Sequence, residues 1–505
     1  MSGIRNGDRP NLMSENTQLI TKSDAAGNAS DGAGNTATFQ NKRPASSFAS
    51  KCLPYQDSPI EATGCAIDVY ARATIFMSSF FVGPALLKLA SEQAIDIAGC
   101  SAMIDESYYD ECAKASRIYG FKPSSLLTNM GTITSLVSII SLPLFGAIVD
   151  FSPYRKQVGM FTAVGVALIK IFELGLGPTT WFFVVCLQIL SSFLYQTHSA
   201  TMDTYSAELS NQPTKQSKFQ SSFALIMFAS MFLYMLEVLI PSRILHLGDI
   251  ATARFAIVVS ICNSLPLFLL AWVYFFRDRP PASKLPNGNT ILTAGFRKLG
   301  STFHEISSKY GHVKHFLVFS LAWSEAGSRT LPIIATTYMS DFLEMNSQEI
   351  GVALLMTLIG GMPGALIGNY VCRLYQNPVR STQICLIIFT ANTLLAGIFM
   401  RASTQKHWMY GFAFVWGICQ GWLHPQHTTI FVTIAPKENG AVELMGLYLF
   451  FCQILGFIPP LVFTILNELG MPMWVGISSL AVYSFVGLVG LTSMVDYKIA
   501  RNLVL

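Results

Sequence analysis

The sequence has few charged residues for its length. Asp, Glu, Lys and Arg make up 12% of its 505 residues, whereas a soluble chain contains about a quarter. Hydrophobic residues make up 51%. A soluble interior has no room for so much apolar surface, so the composition excludes a set of water-soluble domains and predicts a polytopic protein of the lipid bilayer. The basic residues form no dense stripe, which argues against a nucleic-acid partner.

Cysteine is also scarce. The ten cysteines include no C-x-x-C pair, which excludes a disulfide scaffold, and most of them lie in apolar stretches. Only Cys100 and Cys112 share one polar loop. That spacing leaves two interpretations open, a disulfide or two free thiols.

Two further motifs are missing. No G-x-x-x-x-G-K-[ST] loop occurs, so an ATP-driven pump is not expected and transport would be downhill or ion-coupled.

Residues 1–60 are rich in Ser, Thr, Asn, Gly and Ala and predict a disordered tail. The tail has no apolar core with a cleavage site, so the first membrane helix is expected to direct insertion. No cofactor is predicted.

Twelve apolar segments reach the roughly 20 residues that a membrane span needs. They are 66–90, 124–149, 157–177, 180–203, 221–241, 255–276, 315–340, 350–372, 382–400, 408–432, 441–466 and 473–496. We number the predicted spans 1 to 12 in this order. The fold class predicted is therefore an all-helical polytopic membrane protein.

Lysine and arginine predict its orientation. The tails and loops on the N-terminal side contain 22 of these residues and the loops on the other side contain 7. Basic residues stay in the cytoplasm, so both termini are predicted to be cytoplasmic. The acidic loop 91–123 would then face a lumen or the outside.

The longest loop of the membrane region, 277–314, is basic and separates six spans from six. The predicted layout is a tail (1–60), a six-helix half (61–276), a cytoplasmic linker (277–314) and a second six-helix half with a short tail (315–505). This layout is typical of transporters built from two parallel repeats with a site between them. A polytopic receptor or scaffold needs no such symmetry.

Charged residues inside spans 1, 4 and 7 are candidates for that site. Asp68 and Arg72 are four residues apart, as are Glu325 and Arg329, so each pair shares a helix face. Charge within a span is costly unless it is paired or faces water. For span 7 we predict substrate or proton coupling, with Gly327 and Pro332 permitting a local break in the helix. For span 1, snorkelling at the membrane interface is the alternative.

Other polar residues in the spans have weaker claims. His424 and His427 share a face of span 10, but no third metal ligand is evident, so we predict helix-lining histidines rather than a zinc site. Lys170 and Glu173 lie near the end of span 3, where snorkelling is expected. His198 in span 4 has no evident partner in the sequence.

The turn after span 2 reads Gly146-Ala-Ile-Val-Asp150-Phe-Ser-Pro-Tyr-Arg155-Lys156. It resembles the Gly-x-x-x-Asp loop signature of the major facilitator superfamily. We expect Gly146 to allow close helix approach and Asp150 to receive the start of span 11, near Gly440 and Glu443, as part of a gate.

The stretch from Ala435-Pro-Lys-Glu-Asn-Gly440 through Gly446, Gln453 and Pro460 resembles the loop and eleventh helix of one branch of that superfamily. This branch is the vacuolar effluxer family named for autophagy-related protein 22. Asp68-Val-Tyr70, the Asp203-x-Tyr205-x-x-Glu208 end of span 4 and Glu325-Ala-Gly327 are similar to its other landmarks. Thr428 stands near the position of a family arginine.

The resemblance implies a twelve-helix facilitator of the major facilitator type that exports neutral amino acids from vacuole or lysosome to cytosol, with a co-transported proton as an option. A membrane-embedded enzyme would need clustered acid and base groups or metal ligands within one leaflet, and the sequence offers no convincing set, so no enzymatic activity is expected. The predicted substrate or proton-coupling residues are Asp68, Tyr70, Arg72, Asp203, Tyr205, Glu325, Arg329 and His424. The predicted gating residues are Gly146, Asp150, Arg155, Lys156, Gly440 and Glu443. Alternatives are a facilitator for another organic solute and a transporter-derived sensor or scaffold.

The tail contains a candidate membrane address. Glu15-Asn-Thr-Gln-Leu19-Ile20 fits the acidic dileucine pattern that sorting adaptors bind. Together with the resemblance it favours a vacuolar or lysosomal membrane, and the plasma membrane is the alternative.

Overall fold

The computed structural model describes residues 60–100, 106–207, 209, 213–279, 285, 290–436 and 441–502. Every regular element in these ranges is a helix, and the β-type pairing there is an isolated bridge between Ile118 and Phe121. The predicted all-helical fold class is therefore confirmed. The number of spans, twelve, stays a prediction.

We label α1–α12 the helices that coincide with the predicted spans. Their bounds are α1 Ile60–Ala98, α2 Leu126–Phe151, α3 Arg155–Glu173, α4 Trp181–Ala207, α5 Pro213–Ile244, α6 Asp249–Leu270, α7 Ala322–Thr337, α8 Ser347–Tyr375, α9 Pro378–Phe399, α10 Trp408–Ile434, α11 Ala441–Gln453 with Ile458–Glu468, and α12 Met473–Thr492. We call α1–α6 the N-terminal set and α7–α12 the C-terminal set. The predicted domain boundaries themselves stay a prediction.

Shorter helices lie between the long ones. Glu106–Ala115 follows α1, and a disulfide joins its Cys112 to Cys100, with 5.8 Å between the Cα atoms. Of the two interpretations left open by the sequence, the disulfide is the one observed. We call this end of the helices the disulfide end, and the end near Arg277 and Arg279 the linker end.

The linker contains a helix that the sequence analysis did not predict, Ile291–Lys309. A Cβ atom on its Gly295 would lie 2.0 Å from the carbonyl oxygen of Pro143. Only glycine fits there, so the helix lies directly against α2. Gly146 was expected to provide the close approach, but a Cβ built on it meets no atom of the described residues within 4 Å. The start of span 11, which was expected to approach Gly146, includes Gly440 outside the described residues, so this expectation stays a prediction.

Eight helices in the described residues are long and apolar enough to cross a membrane. They are α1, α2, α5, α6, α8, α9, α11 and α12, some with adjoining turns. The remaining four are α3, α4, α7 and α10. Three of these, α4, α7 and α10, contain the polar residues predicted to line the site, and such residues lower the hydropathy of a span.

The predicted break in α7 at Gly327 or Pro332 is not observed, because the helix runs through both residues. Proline lacks the N–H that would bond the carbonyl four residues earlier. That carbonyl belongs to Ser328, and the Gln420 side chain of α10 donates to it at 3.3 Å. The departures from α geometry lie instead at both ends of α7, where Phe316–Leu321 and Tyr338–Phe342 are π-helical.

Glycines bring α8 and α10 into backbone contact. A Cβ atom on Gly364 would lie 2.2 Å from the Ile418 carbonyl oxygen, and one on Gly417 would lie 2.0 Å from that of Thr357. On α8 the glycines recur every four residues, as Gly360, Gly364 and Gly368, and on α10 as Gly417 and Gly421, and small residues at this spacing allow close approach between membrane helices. The contact fixes α10, whose His424 and His427 lie farther along the same helix.

Candidate functional site

Glu325 is the centre of a polar cluster in the C-terminal set. Its side chain is fully buried, and its Oε2 atom accepts a hydrogen bond from Arg329 Nε at 2.8 Å. Its Oε1 atom contacts the Nδ1 atoms of His424 at 3.0 Å and His427 at 2.7 Å. The predicted pairing of Glu325 with Arg329 is therefore observed, together with two histidines from α10. The histidines line the helix and contact a carboxylate.

The cluster fixes the tautomer of His424. Arg329 Nη2 lies 3.0 Å from His424 Nε2, and a guanidinium can only donate. His424 Nε2 therefore accepts, so the ring carries its proton on Nδ1 and donates to Glu325. Half of the His424 side chain is exposed, and a third of that of Arg329. The buried carboxylate is thus linked to accessible groups.

Asp68 is the centre of a second cluster, in the N-terminal set. It is fully buried, and its Oδ1 atom accepts from Trp272 Nε1 at 2.9 Å and contacts His198 Nε2 at 2.9 Å. Its Oδ2 atom has no hydrogen-bond partner among the described residues. Interfacial snorkelling is therefore the wrong interpretation for Asp68. His198 was missed because its partner is 130 residues away in the sequence.

Arg72 and Asp203 provide opposite charges beside this cluster. Arg72 is 9% exposed, and its Nε atom is buried without a hydrogen-bond partner in the part of the chain that the structure describes. Asp203 is exposed on α4 and interacts electrostatically with Arg72 and also with Arg329 of the C-terminal set. Asp203 thus interacts with an arginine from each set.

Two other predicted site residues lie elsewhere. Tyr205 is buried at the linker end, where its hydroxyl donates to the Arg277 carbonyl oxygen at 3.2 Å and the Arg279 guanidinium lies 4.9 Å from its ring centroid. Tyr70 is half-buried and interacts electrostatically with Glu237 of α5. Neither tyrosine forms a described hydrogen bond with either cluster. Their role in substrate or proton coupling therefore stays a prediction.

The predicted gating residues are only partly described. Arg155 is buried with its guanidinium 5.8 Å from the Tyr205 ring centroid, and Lys156 is half-buried. Gly440 lies outside the described residues, as do the side chains of Asp150 and Glu443. Their predicted contact stays a prediction.

Lys170 and Glu173 form a buried ion pair. Lys170 Nζ lies 2.9 Å from Glu173 Oε2, Gln188 donates to the same oxygen at 2.8 Å, and both charged side chains are fully buried. The snorkelling predicted for them is wrong, because Gln188 of α4 and Ser79 of α1 supply polar contacts inside the helix packing.

At the disulfide end, several hydrogen bonds join the two sets within the described residues. Asn467 donates to Ser124 at 2.8 Å and to Ser125 at 2.9 Å, and Glu468 accepts from the Lys122 backbone at 2.8 Å. We call this the α2–α11 latch; it also includes the Arg117–Glu468 ion pair and the contact of Thr128 with Thr464 at 2.7 Å. A second contact joins α6 to α8, where the Ser347 backbone donates to Asp249 at 2.9 Å. Sequence reasoning missed both contacts because their partners are far apart in the chain.

Comparisons with known proteins agree with this architecture. A mutant form of the nucleoside transporter NupG is similar in structure with a TM-score of 0.58 and 13% identity, covering 86% of this chain and 100% of that one. Another NupG structure gives a TM-score of 0.53 at 12% identity, covering 86% and 98%. At such low identity the likeness concerns the fold. No curated protein sequence matches the chain significantly.

The decisive comparison is with a family profile. The profile described as Major Facilitator Superfamily matches residues 70–460, which is most of the chain. That range includes the Glu325 cluster, His198 and Trp272 of the Asp68 cluster, and the linker, whereas Asp68 itself and the α11 residues of the latch lie just outside it. The chain belongs to the major facilitator superfamily and is a membrane transporter of small solutes.

Proposed function

We propose that this protein is a secondary transporter of zwitterionic solutes, most specifically neutral amino acids, from a vacuole or lysosome to the cytosol. The observation that carries the proposal is the pair Arg72 and Asp203. They are opposite charges on different helices, they interact electrostatically, and neither has a described side-chain ion pair. A neutral amino acid carries the complementary pair of charges on one carbon.

Arg72 is suited to the carboxylate of such a solute. A guanidinium matches a carboxylate in two parallel hydrogen bonds. The buried Nε atom of Arg72 has no partner within the described residues, and leaving a buried donor unbonded is costly. A bound carboxylate would supply the missing acceptor.

Asp203 is suited to the ammonium group. It is exposed, so a solute can reach it, and it lies in the field of both Arg72 and Arg329. A solute lacking either charge would leave one of these groups unpaired, which is a strong source of discrimination.

The test is uptake into proteoliposomes with radiolabelled leucine as the probe. The deaminated acid and the decarboxylated amine should each compete at least about tenfold less well, since a lost charged hydrogen bond costs about 1.5–3 kcal/mol. Arg72→Met and Asp203→Asn should abolish uptake. Arg401→Met and Asp496→Asn are matched controls in loops, where Arg401 lies over Trp474 and Asp496 accepts from a backbone N–H.

Other outcomes separate the alternatives. Uptake of labelled uridine that amino acids do not inhibit would replace the amino acid by a nucleoside, the solute named for NupG. Binding of leucine without flux would favour the sensor or scaffold interpretation. Uptake of leucine that survives in both Arg72→Met and Asp203→Asn would overturn the proposed site.

Alternating access would use the contacts at the disulfide end as a gate. The α2–α11 latch holds the sets together there, so we infer that this conformation is closed at that end. Glu468→Gln removes a charge from the latch and should raise the reactivity of the thiol introduced by Thr132→Cys toward an impermeant reagent about tenfold. Glu305→Gln, on the exposed linker helix, is the control. Unchanged reactivity of the introduced thiol would contradict the gate.

The compartment and orientation need separate tests. Leu285→Cys and Tyr119→Cys, both exposed, should be labelled only from the cytosol and only from the other side, respectively. Labelling of both from one side would overturn the orientation.

The membrane address needs a different test. Glu15, Leu19 and Ile20 lie outside the described residues. Replacing Leu19 and Ile20 by Ala should move a tagged protein toward the plasma membrane if sorting adaptors bind there, and an unchanged vacuolar signal would exclude this address.

A further inference from the structure

The clusters around Asp68 and Glu325 share one arrangement. Each carboxylate lies on the first helix of its set, four residues before an arginine, and each contacts a histidine from the fourth helix of the same set. The histidines are His198 on α4 and His427 on α10. Parallel repeats place equivalent residues at equivalent positions. The two clusters therefore lie on corresponding helices of the two sets, although the separation in sequence between carboxylate and histidine differs, 130 residues in one and 102 in the other.

The second nitrogen of His198 defines its protonation. Nδ1 lies 3.1 Å from Thr162 Oγ1, and that hydroxyl lies 2.8 Å from the Val158 carbonyl oxygen four residues earlier. A hydroxyl has a single proton, and a helical threonine gives it to this carbonyl. Thr162 Oγ1 is then the acceptor, so His198 Nδ1 carries a proton and donates.

This leaves Nε2 of His198 facing Asp68 Oδ1 at 2.9 Å. A bare ring nitrogen and a carboxylate oxygen are both acceptors and do not form a hydrogen bond. One further proton must lie on this contact, either on the imidazole or on the carboxyl. The pair therefore holds one proton more than a neutral histidine beside an ionised aspartate.

His427 makes comparable contacts, with its two ring nitrogens exchanged and with a hydroxyl from α7 instead of α3. Its Nε2 lies 3.3 Å from Ser324 Oγ, and that hydroxyl lies 2.7 Å from the Ser320 carbonyl oxygen four residues earlier. The serine proton is thus engaged, His427 donates to Ser324, and its Nδ1 contact with Glu325 at 2.7 Å also needs a proton. In both sets a hydroxyl that donates to the carbonyl four residues earlier accepts a hydrogen bond from one histidine nitrogen, so the proton of that nitrogen is engaged away from the carboxylate.

We propose that Asp68 with His198 forms a second proton-binding site, on the helices that correspond to those of Glu325 with His427, and that the transporter moves two protons per solute. The inference rests on the proposed function for its solute but not for the proton site itself. The Oδ2 atom of Asp68, which has no partner among the described residues, supports it, because a buried carboxylate with one bare oxygen is costly as an anion and less so when protonated. Trp272, in the π-helical turn Ala271–Phe275 that follows α6, donates to the Oδ1 atom of the same carboxylate.

Other groups around Asp68 contribute to its charge state. The titratable or charged side chains that interact with Asp68 are Cys65 and Arg72 on α1 and Tyr195, His198 and Asp203 on α4. Arg72 favours the anion and Asp203 opposes it. A solute carboxylate bound to Arg72 would reduce the first effect, so solute binding and proton binding at Asp68 would favour each other. This is the coupling that a symporter requires.

The first test is the proton-to-solute ratio in proteoliposomes, obtained from the pH gradient that balances an opposing solute gradient. The expected ratio is two for the wild type and one for His198→Gln and for His427→Gln. Glutamine keeps a neutral hydrogen-bonding group at each position. A ratio of two in His198→Gln, or a ratio that depends on sodium instead of pH, would overturn the proposal.

The second test needs no solute, so it separates failure of the proton site from failure of the proposed function. The infrared C=O stretch of protonated carboxyl groups is followed in the purified wild-type protein as pH changes. Asp68→Asn should remove one titrating component that Asp496→Asn retains. Thr162→Val removes the acceptor of His198 without adding a polar group and should shift the pH at which this component titrates. Identical titrations of wild type, Asp68→Asn and Thr162→Val would exclude the second site.

Discussion

Each set has a buried carboxylate four residues before an arginine, but among the described residues only the C-terminal set forms an ion pair between the two. Glu325 and Arg329 are four residues apart and form an ion pair at 2.8 Å. Asp68 and Arg72 have the same spacing, yet the Asp68 carboxylate hydrogen-bonds His198 and Trp272 and leaves the Arg72 Nε atom without a partner among the described residues. Glutamate is one methylene longer than aspartate, which favours its reach along the helix. Spacing on one helix face therefore permits a pair, and donors from neighbouring helices decide whether it forms.

This difference gives the two arginines different roles. Arg329 neutralises a buried carboxylate and so contributes to stability. Arg72 forms no described ion pair with Asp68 of the same helix, so its positive charge is available to a solute. The comparison predicts that matched substitutions of the two arginines have the same effect on transport but unequal consequences for folding.

The largest expected difference between the two sets is in the stability of Arg329→Met compared with Arg72→Met. Removing one partner of a buried pair costs about 3–5 kcal/mol, because the other charge is left uncompensated. The two histidines that contact Glu325 place the expected loss at the lower end of this range. Arg72→Met should change the free energy of unfolding by less than about 1 kcal/mol, and both variants should lose transport. Unfolding in detergent, followed by tryptophan fluorescence, measures the difference.

The matched control for Arg329→Met is the double variant Glu325→Gln with Arg329→Met. It leaves no uncompensated charge and should recover most of the stability without recovering transport. Equal destabilisation by Arg72→Met and Arg329→Met would contradict the distinction between the two arginines.

A second prediction concerns the buried pair Lys170 and Glu173. It lies in the N-terminal set but outside the Asp68 cluster, so it tests whether every buried charge of that set serves transport. Lys170→Met strands Glu173, whose Oε1 atom already lacks a partner in the described ranges, and should cost about 3–5 kcal/mol. Replacing both residues by Met should restore stability to within about 1–2 kcal/mol of the wild type, with solute uptake unchanged. Loss of uptake in a stable double variant would place this pair in the transport mechanism.

The sequence was sufficient for the helical fold and for the charged pairs within one helix. The patterns of Glu325 with Arg329 and of Asp68 with Arg72 are local, so i, i+4 spacing identified all four residues. The spacing did not predict that Glu325 and Arg329 form an ion pair while Asp68 and Arg72 do not. That outcome depends on Trp272 and His198, which belong to other helices.

The remaining errors have the same physical origin. His198 and the buried Lys170 are indistinguishable in the sequence from interfacial residues, because their polar partners come from elsewhere in the chain. Pro332 predicts a break, yet Gln420 of α10 satisfies the carbonyl that proline leaves free. Turn and helix propensity are local, whereas burial and hydrogen-bond satisfaction are decided by packing.

The smallest predicted effect comes from Asp68→Glu, which gives the N-terminal pair the chain length of the C-terminal one. The longer carboxylate should reach Arg72 and compete with the solute carboxylate for it. A charge-assisted hydrogen bond is worth about 1.5–3 kcal/mol, so a partly formed pair should raise KM by about tenfold while kcat falls less. The control is Glu305→Asp on the linker helix, where an exposed i, i+4 pair with Lys309 at 2.9 Å is worth well under about 1 kcal/mol. A KM that is unchanged in Asp68→Glu would mean that Arg72 does not bind the solute, and the contrast between the two sets would then concern protons alone.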